Sequence, residues 1–262
     1  MNLKNGFSKA ISLGALLFGA IVSLPASAGL IGFYTFEGNA NDVSGNGNHG
    51  TLSATAPTLT AAGYQGSAYQ FGSGGANTFV TLPIDINPGA LPQVTFGAWV
   101  NADVADAVIR GIISHDNGDF DRTIDVDTRA GTPVKWCFFT GVGGGGICDG
   151  EVVVDDWVFL AVAYDATAGI GRFAVNGAHS ANFTVTNGAG ETQTTVGRNP
   201  NFDSPFVGRI DNVFFYDKFL SIQQLDDIRI NGISLPEPAT LALMGLGLAG
   251  IGYRRRRSVN PA

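Results

Sequence analysis

Aspartate and asparagine side chains alternate with small residues along Asp42–Asn48, and this spacing is typical of a calcium-binding loop. Calcium takes about six to eight oxygen ligands, many of them from one flexible loop. The acid expected at the twelfth position is absent because Ser53 stands there, so further ligands must come from elsewhere. Asp211 is the candidate, since it interrupts an apolar strand-like run and must be paired or metal-bound if it is buried. We therefore predict a structural Ca²⁺ ion ligated by Asp42, Asn46 and Asp211.

The same residues have an alternative that needs no metal. Arg209 precedes Asp211 by two positions and lies on the same face of the strand, so the two side chains could form a salt bridge. The loop around Asp42 would then be held by hydrogen bonds alone.

A second acidic cluster follows a strand-like run, in a segment that also contains asparagine and glycine: Asp116, Asp119 and Asp121. Oxygen ligands of this kind suit calcium. Acidic side chains in loops are more often solvated, and we expect that here.

Two further aspartates, Asp125 and Asp127, fall on one face of a predicted strand, about 6.6 Å apart by the strand rise. Inverting glycosidases separate their two carboxyl groups by ~6.5–9.5 Å, so the distance alone allows chemistry. Such pairs flank the scissile bond from opposite sides, however, whereas these two are neighbours on one strand. We expect a solvated strand face near Arg122 and Arg129, and we predict no catalytic residue.

The remaining chemistry-bearing residues form no recognisable catalytic or cofactor site. The three histidines are scattered, whereas a zinc site needs clustered ligands. No nucleophile elbow and no phosphate-binding glycine loop occur. We therefore predict that the protein is not an enzyme. Among the tryptophans, Trp99 and Trp157 are expected in the core, and Trp136 is the better candidate for exposure and stacking on a sugar, although burial is favoured there too.

The charge between Gly29 and Leu235 is strongly negative. This segment contains nine Lys or Arg residues and 21 Asp or Glu residues, which gives a net charge of −12. Nucleic-acid binding needs clustered basic residues, so it is excluded as a function. The two cysteines, Cys137 and Cys148, favour a disulfide in an exported chain, with two free thiols or a metal pair as alternatives.

The N-terminus predicts export. Lys4 and Lys9 precede an apolar run, Ile11–Leu24, and Ala26–Ala28 is a small-residue cleavage site. This order is typical of a signal peptide, so we predict that residues 1–28 are removed and that residues 29–235 form the folded domain.

The C-terminus carries a second signal. Pro236, Glu237 and Pro238 precede an uncharged apolar run, Ala239–Tyr253, and then Arg254–Arg257. The run is short for a membrane span, and the arginines suit a cytoplasmic end. Residues 236–257 resemble the PEP-CTERM sorting signal of Gram-negative bacteria, followed by a tail at 258–262. The resemblance implies a transmembrane helix before processing, an exosortase-type processing enzyme, and a destination in the envelope or extracellular matrix. An anchor that is never cut is the alternative.

The body of the chain predicts an all-β fold. Ten strand-like runs are separated by turn residues, and one helix is predicted over Ser221–Ile230, with Ser221 and Gln224 forming a capping box. Short strands followed by a single late helix indicate a two-sheet antiparallel sandwich.

Five motifs in order resemble a known family: "LIGFYTFEGNANDVSGNGN", "GSAYQF", "VTFGAWV", "RFAVNG" and "FVGRIDNVFFYDKFLSIQQLDDI". The series is similar to the laminin-G-like, concanavalin A-like jelly roll. That family includes lectins, adhesive modules and some enzymes, and it often carries a calcium ion that joins the loop of Asp42 to the region of Asp211. We predict a non-catalytic module that binds exopolysaccharide or another glycan. Protein–protein adhesion or a structural matrix role is the alternative, and glycoside hydrolysis is less favoured.

Overall fold

The computed structural model describes residues 29–118, 122–129, 131–140, 147–185 and 188–235. The predicted signal peptide at 1–28 lies outside the described residues, and so do the sorting motif Pro236, Glu237 and Pro238 and the rest of the tail. Asp119 and Asp121 of the second acidic cluster also lie outside them. No helix in the described part of the chain is long and apolar enough to cross a membrane.

The described residues form seventeen strands, a short 3-10 helix and one α-helix. The strands are β1 Leu30–Tyr34, β2 Thr51–Leu52, β3 Thr58–Thr60, β4 Ala68–Phe71, β5 Val80–Leu82, β6 Gln93–Ala102, β7 Arg110–Ser114, β8 Thr123–Asp127, β9 Lys135–Phe139, β10 Ile147–Glu151, β11 Trp157–Asp165, β12 Ile170–Val175, β13 Ala178–His179, β14 Phe183–Thr184, β15 Thr194–Val196, β16 Ser204–Pro205 and β17 Gly208–Tyr216. The 3-10 helix is Ser73–Gly75, and the α-helix, α1, is Ile222–Asn231.

The strands make two sheets that pack face to face. Sheet A has the order β13-β12-β11-β6-β17-β4-β3, with β1 added on β17 and β14 on β12. Sheet B has the order β10-β9-β8-β7-β15-β5-β2, with β16 added on β7. Every pairing is antiparallel except the short one between β16 and β7. The predicted two-sheet antiparallel sandwich is therefore confirmed.

The core lies between the sheets because side chains alternate along each strand. On β11, Val158, Leu160 and Val162 point inward to the core, whereas Phe159 and Ala161 point outward to a second apolar cluster. This strand pairs with β6 on one side and β12 on the other. Its apolar residues are covered on both faces, as its sequence predicts.

Helix α1 covers part of the outer face of sheet A. The Ser221 hydroxyl accepts a hydrogen bond from the Gln224 backbone N–H, and the Gln224 side chain accepts one from the Ser221 N–H, so the predicted capping box is confirmed. Leu225 and Ile228 are buried in the outer apolar cluster. Ile222, the first residue of the helix, is 43% exposed.

All ten predicted strand runs contain strands, while β10 and the shortest strands were not predicted. The predicted disulfide is present between Cys137 and Cys148, which face each other across β9 and β10 with Cα atoms 4.1 Å apart. On β8, Ile124 and Val126 enter the core, so Thr123, Asp125 and Asp127 face outward from sheet B. That outward face positions the candidate site.

Candidate functional site

A pocket of about 200 Å³ lies on the outer face of sheet B, and we call it the acidic pocket. Strands β8 and β9 supply its floor, the segment after β7 supplies one wall, and the loop between β15 and β16 supplies the other. The residues that line it are Asp116, Gly118, Thr123, Asp125, Arg129, Phe139, Asn199, Phe202 and Asp203.

Asp125 occupies the floor of the acidic pocket and is 1% exposed. Within the described residues its Oδ1 atom has no hydrogen-bond partner, and its Oδ2 atom is 3.7 Å from Arg129 Nη2. Burial raises the pKa of the Asp125 carboxyl well above its ordinary value, and the negative charge of Asp127 raises it further. The expected solvated strand face is therefore wrong, because neighbouring strands and loops bury a face that the sequence pattern shows only as polar.

Arg129 pairs with Asp127 more closely than with Asp125. The Arg129 backbone N–H donates to Asp127 Oδ1 at 2.6 Å and its Nε donates to Asp127 Oδ2 at 2.5 Å, while its Nη2 also contacts Oδ2. The guanidinium carbon lies 4.7 Å from the centre of the Phe139 ring. Both oxygens of the buried Asp127 carboxylate are thus satisfied, and Asp125 is left with only a distant cation.

Asn199 joins the two other carboxylates of the pocket. Its Nδ2 donates to Asp116 Oδ2 at 2.6 Å and to Asp203 Oδ2 at 3.0 Å. Asp116 Oδ1 accepts from the Gly118 N–H at 2.6 Å, so both oxygens of Asp116 have donors. Asp116 is buried, which contradicts its expected solvation: this polar network holds it against sheet B. Burial raises the pKa of Asp203, against the hydrogen bond from Asn199.

Phe202 gives the acidic pocket an accessible aromatic face, since the residue is 49% exposed. Gly118 has φ +108, and a Cβ atom added there would lie 2.9 Å from Phe202 Cζ, so the ring rests close against the backbone. Sequence reasoning missed Phe202, Phe139, Asn199 and Asp203. The only signal for the last two was a polar, turn-rich loop, which says nothing of what it faces.

A metal in this region has a poor ligand set. In the described part of the chain, one group of potential ligand atoms lies within 4.8 Å of one another, from Asp125, Asp127 and Cys137. Cys137 is oxidised in the disulfide, so it offers no thiolate, and Arg129 already occupies Asp127. Only Asp125 retains a free oxygen there.

The loop around Asp42 is organised by hydrogen bonds. Asp42 Oδ1 accepts from the N–H groups of Phe33 at 3.0 Å and Ser44 at 2.9 Å, and its Oδ2 accepts from the Asn48 N–H at 3.0 Å. Burial opposes ionisation, but the hydrogen bonds from Ser44, Phe33 and Asn48 outweigh it and lower the pKa of Asp42. Asn46 Nδ2 donates to Leu30 O at 2.9 Å and fixes the loop on β1.

Asp211 is fully buried on β17 and has a separate set of donors. Its Oδ2 accepts from the Gln65 N–H at 3.0 Å and its Oδ1 accepts from the Asn212 N–H at 2.7 Å. Burial raises its pKa to about 6. Arg209 donates to Asn101 at 2.7 Å and to Asp155 at 3.1 Å, so the alternative Arg209–Asp211 salt bridge does not form. The calcium site itself stays a prediction.

Trp99 and Trp157 differ from their expected burial in the core, whereas Trp136 does not offer an exposed ring. Trp136 is completely buried in the core, because the even positions of β9 face inward. Trp99 and Trp157 are partly exposed on the outer face of sheet A. The Tyr64 ring stacks on Trp99 with centroids 3.5 Å apart, beside a second pocket of about 180 Å³. None of the described residues that line that pocket carries a charge.

Two family models match the chain. Residues 73–226 match the concanavalin A-like lectin/glucanases superfamily, and residues 234–257 match the PEP-CTERM protein-sorting motif. The sorting motif indicates an exported protein that an exosortase sorts to the envelope. A search of curated proteins found no match.

Solved structures with the same fold include binding domains and parts of enzymes. Domain 4 of AbnA, a GH43 extracellular arabinanase from Geobacillus stearothermophilus in complex with arabinotriose, has a TM-score of 0.60 and 21% identity, over 77% of this chain and 98% of that one. The botulinum neurotoxin serotype D binding domain has a TM-score of 0.59 and 11% identity, over 78% of this chain and 52% of that one. Trypanosoma rangeli sialidase in complex with sialic acid has a TM-score of 0.59 and 15% identity, over 79% of this chain and 33% of that one.

The chain therefore spans about half the length of the toxin binding domain and a third of the sialidase. At these identities the similarity shows a shared fold. Carbohydrate-bound and receptor-binding domains recur among these structures.

Proposed function

The chain belongs to the concanavalin A-like lectin/glucanases superfamily, and from this premise we propose that it is an exported, non-catalytic module that binds carbohydrate in the acidic pocket. The observation that carries the proposal is the Asp125 Oδ1 atom, which is buried and has no hydrogen-bond partner among the described residues. A buried polar atom without a partner is costly, so its persistence points to a ligand that supplies the donor. Sugars carry many such donors.

The other residues of the pocket fit a sugar. Phe202 offers a flat apolar face, while Asn199 and Asp203 offer polar groups at the rim. The volume of about 200 Å³ is below the ~300–1,000 Å³ of sites for drug-sized ligands, so it suits one sugar unit at a time. The AbnA domain, which was solved with arabinotriose, shares the fold and supports this choice of ligand class.

The carboxyl groups favour binding over hydrolysis. Glycosidases need two positioned carboxyl groups, one acid and one base or nucleophile. Asp127 is held on both oxygens by Arg129, and both oxygens of Asp116 accept hydrogen bonds. Asp125 is then the one buried carboxyl group in the pocket with an oxygen to offer a ligand. We therefore propose that no bond is broken here.

We also propose a destination for the module. The sorting motif supports delivery to the envelope, and we place its ligand in the exopolysaccharide of the extracellular matrix of a Gram-negative bacterium. In this role an exosortase-type enzyme processes the chain, and the tail holds it in the membrane beforehand.

Co-sedimentation with the producing bacterium's own exopolysaccharide tests the function. Full-length chain in mild detergent should bind saturably, and Phe202→Ala should weaken binding by roughly tenfold, because one stacked ring contributes about 1–2 kcal/mol. Tyr64→Ala is the matched control, since Tyr64 is 41% exposed in the loop between β3 and β4 and its ring stacks on sheet A, away from the acidic pocket. Absence of saturable binding by the wild type would contradict carbohydrate recognition and favour a protein partner.

A structural calcium ion held by Asp42, Asn46 and Asp211 remains a separate proposal. Asp42 and Asn46 lie in the loop after β1 and hydrogen-bond to β1, while Asp211 lies on β17, which pairs with β1, and this supports the grouping. The carboxylates of Asp42 and Asp211 already accept backbone hydrogen bonds, which argues against a bound metal ion. We expect chelation to lower the melting temperature and Asp42→Ala to abolish that sensitivity. An unchanged melting curve after chelation would contradict the proposed calcium site.

A further inference from the structure

We propose that the acidic pocket selects a sugar that carries a free primary ammonium group, a deacetylated amino sugar, and that Asp125 receives this group. The inference rests on the proposed carbohydrate binding and extends it to a class of sugar. It follows from the charge balance of the pocket and from the position of one unpaired oxygen.

Negative charge exceeds positive charge in the pocket. Among the described residues that line it, Asp116, Asp125 and Asp203 are acidic and Arg129 is the one cation. That guanidinium is already bound to a fourth carboxylate, Asp127. A bound cationic group would therefore neutralise charge that the protein leaves unbalanced. The carboxylate of a uronic acid would instead add a like charge and be repelled.

Asp125 is the acceptor to which that cation would bind. It is 1% exposed, it lines the pocket, and its Oδ1 has no partner in the described structure. An ammonium group has three N–H donors and a positive charge, so it satisfies both the hydrogen bond and the charge of a carboxylate. Hydrogen bonds between two charged groups are about twice as strong as neutral ones. A hydroxyl group would satisfy the hydrogen bond alone.

The rest of the pocket favours a ring over a flexible chain. Phe202 is 49% exposed and is held against Gly118, so it can pack flat on a sugar face. Asn199 holds Asp203 on the other side of the pocket, and the rim oxygens of Asp203 suit ring hydroxyls. A lysine side chain of a partner protein also carries an ammonium group, but it is thin and would leave Phe202 uncovered.

Titration calorimetry of the full-length chain tests the selection at near-physiological salt. The probes are glucosamine oligomers, their N-acetylated forms, neutral glucose oligomers and glucuronate oligomers. We expect the free amine to bind about tenfold more tightly than the acetylated form, and the uronate to bind weakest. Asp125→Asn should reduce the ratio of the two amino-sugar affinities to about one. Asp203→Asn, at the rim of the pocket, should reduce the ratio partly, and it tests the charge effect independently if the Asp125 variant fails to fold.

Controls separate site binding from general attraction to an acidic protein. Asp156→Asn removes one exposed carboxylate elsewhere and should leave the ratio unchanged. Equal affinities for acetylated and free amines in the wild type would overturn the selection while leaving carbohydrate binding intact. No binding of any glycan would overturn the proposed function itself. Asp125-dependent binding of a lysine peptide, without sugar binding, would replace the sugar by a protein ligand.

Discussion

Two buried aspartates, Asp42 and Asp125, have opposite surroundings. Asp42 accepts hydrogen bonds from three backbone N–H groups, and its pKa is lowered. Among the described residues, Asp125 has one oxygen without a donor, and it lies beside Asp127 with a raised pKa. Both residues are almost inaccessible to water, so burial alone does not distinguish them.

The difference separates a structural carboxylate from a candidate binding carboxylate. The donors of Asp42 come from its own loop and from β1, so its charge organises the chain that supplies them. The neighbour of Asp125, Arg129, donates its hydrogen bonds to Asp127 instead. A carboxyl group that is buried without a full set of hydrogen-bond donors is a candidate for binding a ligand.

The largest expected effect is that of Asp42→Asn. The amide has one acceptor oxygen in place of a charged group that accepts three backbone hydrogen bonds, so at least one N–H loses its partner. We expect the free energy of unfolding to fall by about 3 kcal/mol, which corresponds to a melting temperature lower by roughly 6–12 °C. Asp156→Asn, in an exposed turn, serves as the control in the same thermal melts. A loss below about 1 kcal/mol would contradict the structural role of Asp42.

The same substitution at Asp125 should act in the opposite direction. Asp125→Asn removes a buried carboxyl group that lies beside Asp127 and has one oxygen without a partner among the described residues, and it keeps the shape of the side chain. We expect a stabilisation of about 1 kcal/mol in denaturant unfolding at neutral pH, together with weaker ligand binding. A destabilised variant would show that Asp125 has a structural partner in solution.

The stability of Asp125→Asn relative to wild type should depend on pH. Because the folded-state pKa of Asp125 is raised, the native state holds its proton where the unfolded state has lost it. Wild-type stability therefore falls as pH rises from the ordinary aspartate pKa, near ~4, to the raised value. The variant lacks this contribution, so its advantage should be small at pH 4 and larger at pH 7. Unfolding curves across this range measure it, and a constant difference would contradict the raised pKa.

The smallest expected effect is the coupling between Asp125 and Asp127. In an Asp127→Asn background the Arg129 guanidinium, whose Nη2 is 3.7 Å from Asp125 Oδ2, loses its nearer carboxylate and can pair with Asp125. The stabilisation by Asp125→Asn should then fall toward zero. A double-mutant cycle should therefore give a coupling free energy of roughly 0.5–1 kcal/mol between the two positions. Additive effects would mean that Arg129 does not decide which aspartate is satisfied.

Local sequence patterns determined much of the fold. The strand-like runs around β6, β11 and β17, and the Ser221–Gln224 capping box, depend on neighbours in the chain and were predicted correctly. The disulfide could be predicted because Cys137 and Cys148 are the only two cysteines. The short strands could not be predicted, since two or three residues carry no periodic signal.

The candidate pocket was decided by tertiary structure. The sequence placed Asp125 and Asp127 on one strand face, but their burial depends on loops far away in the chain, including the one that carries Asn199 and Phe202. It showed Arg129 near both aspartates and could not say which of them it would bind. Side-chain direction along a strand is local and can be read from the sequence, whereas solvent exclusion and the choice of hydrogen-bond partner arise only when distant segments meet.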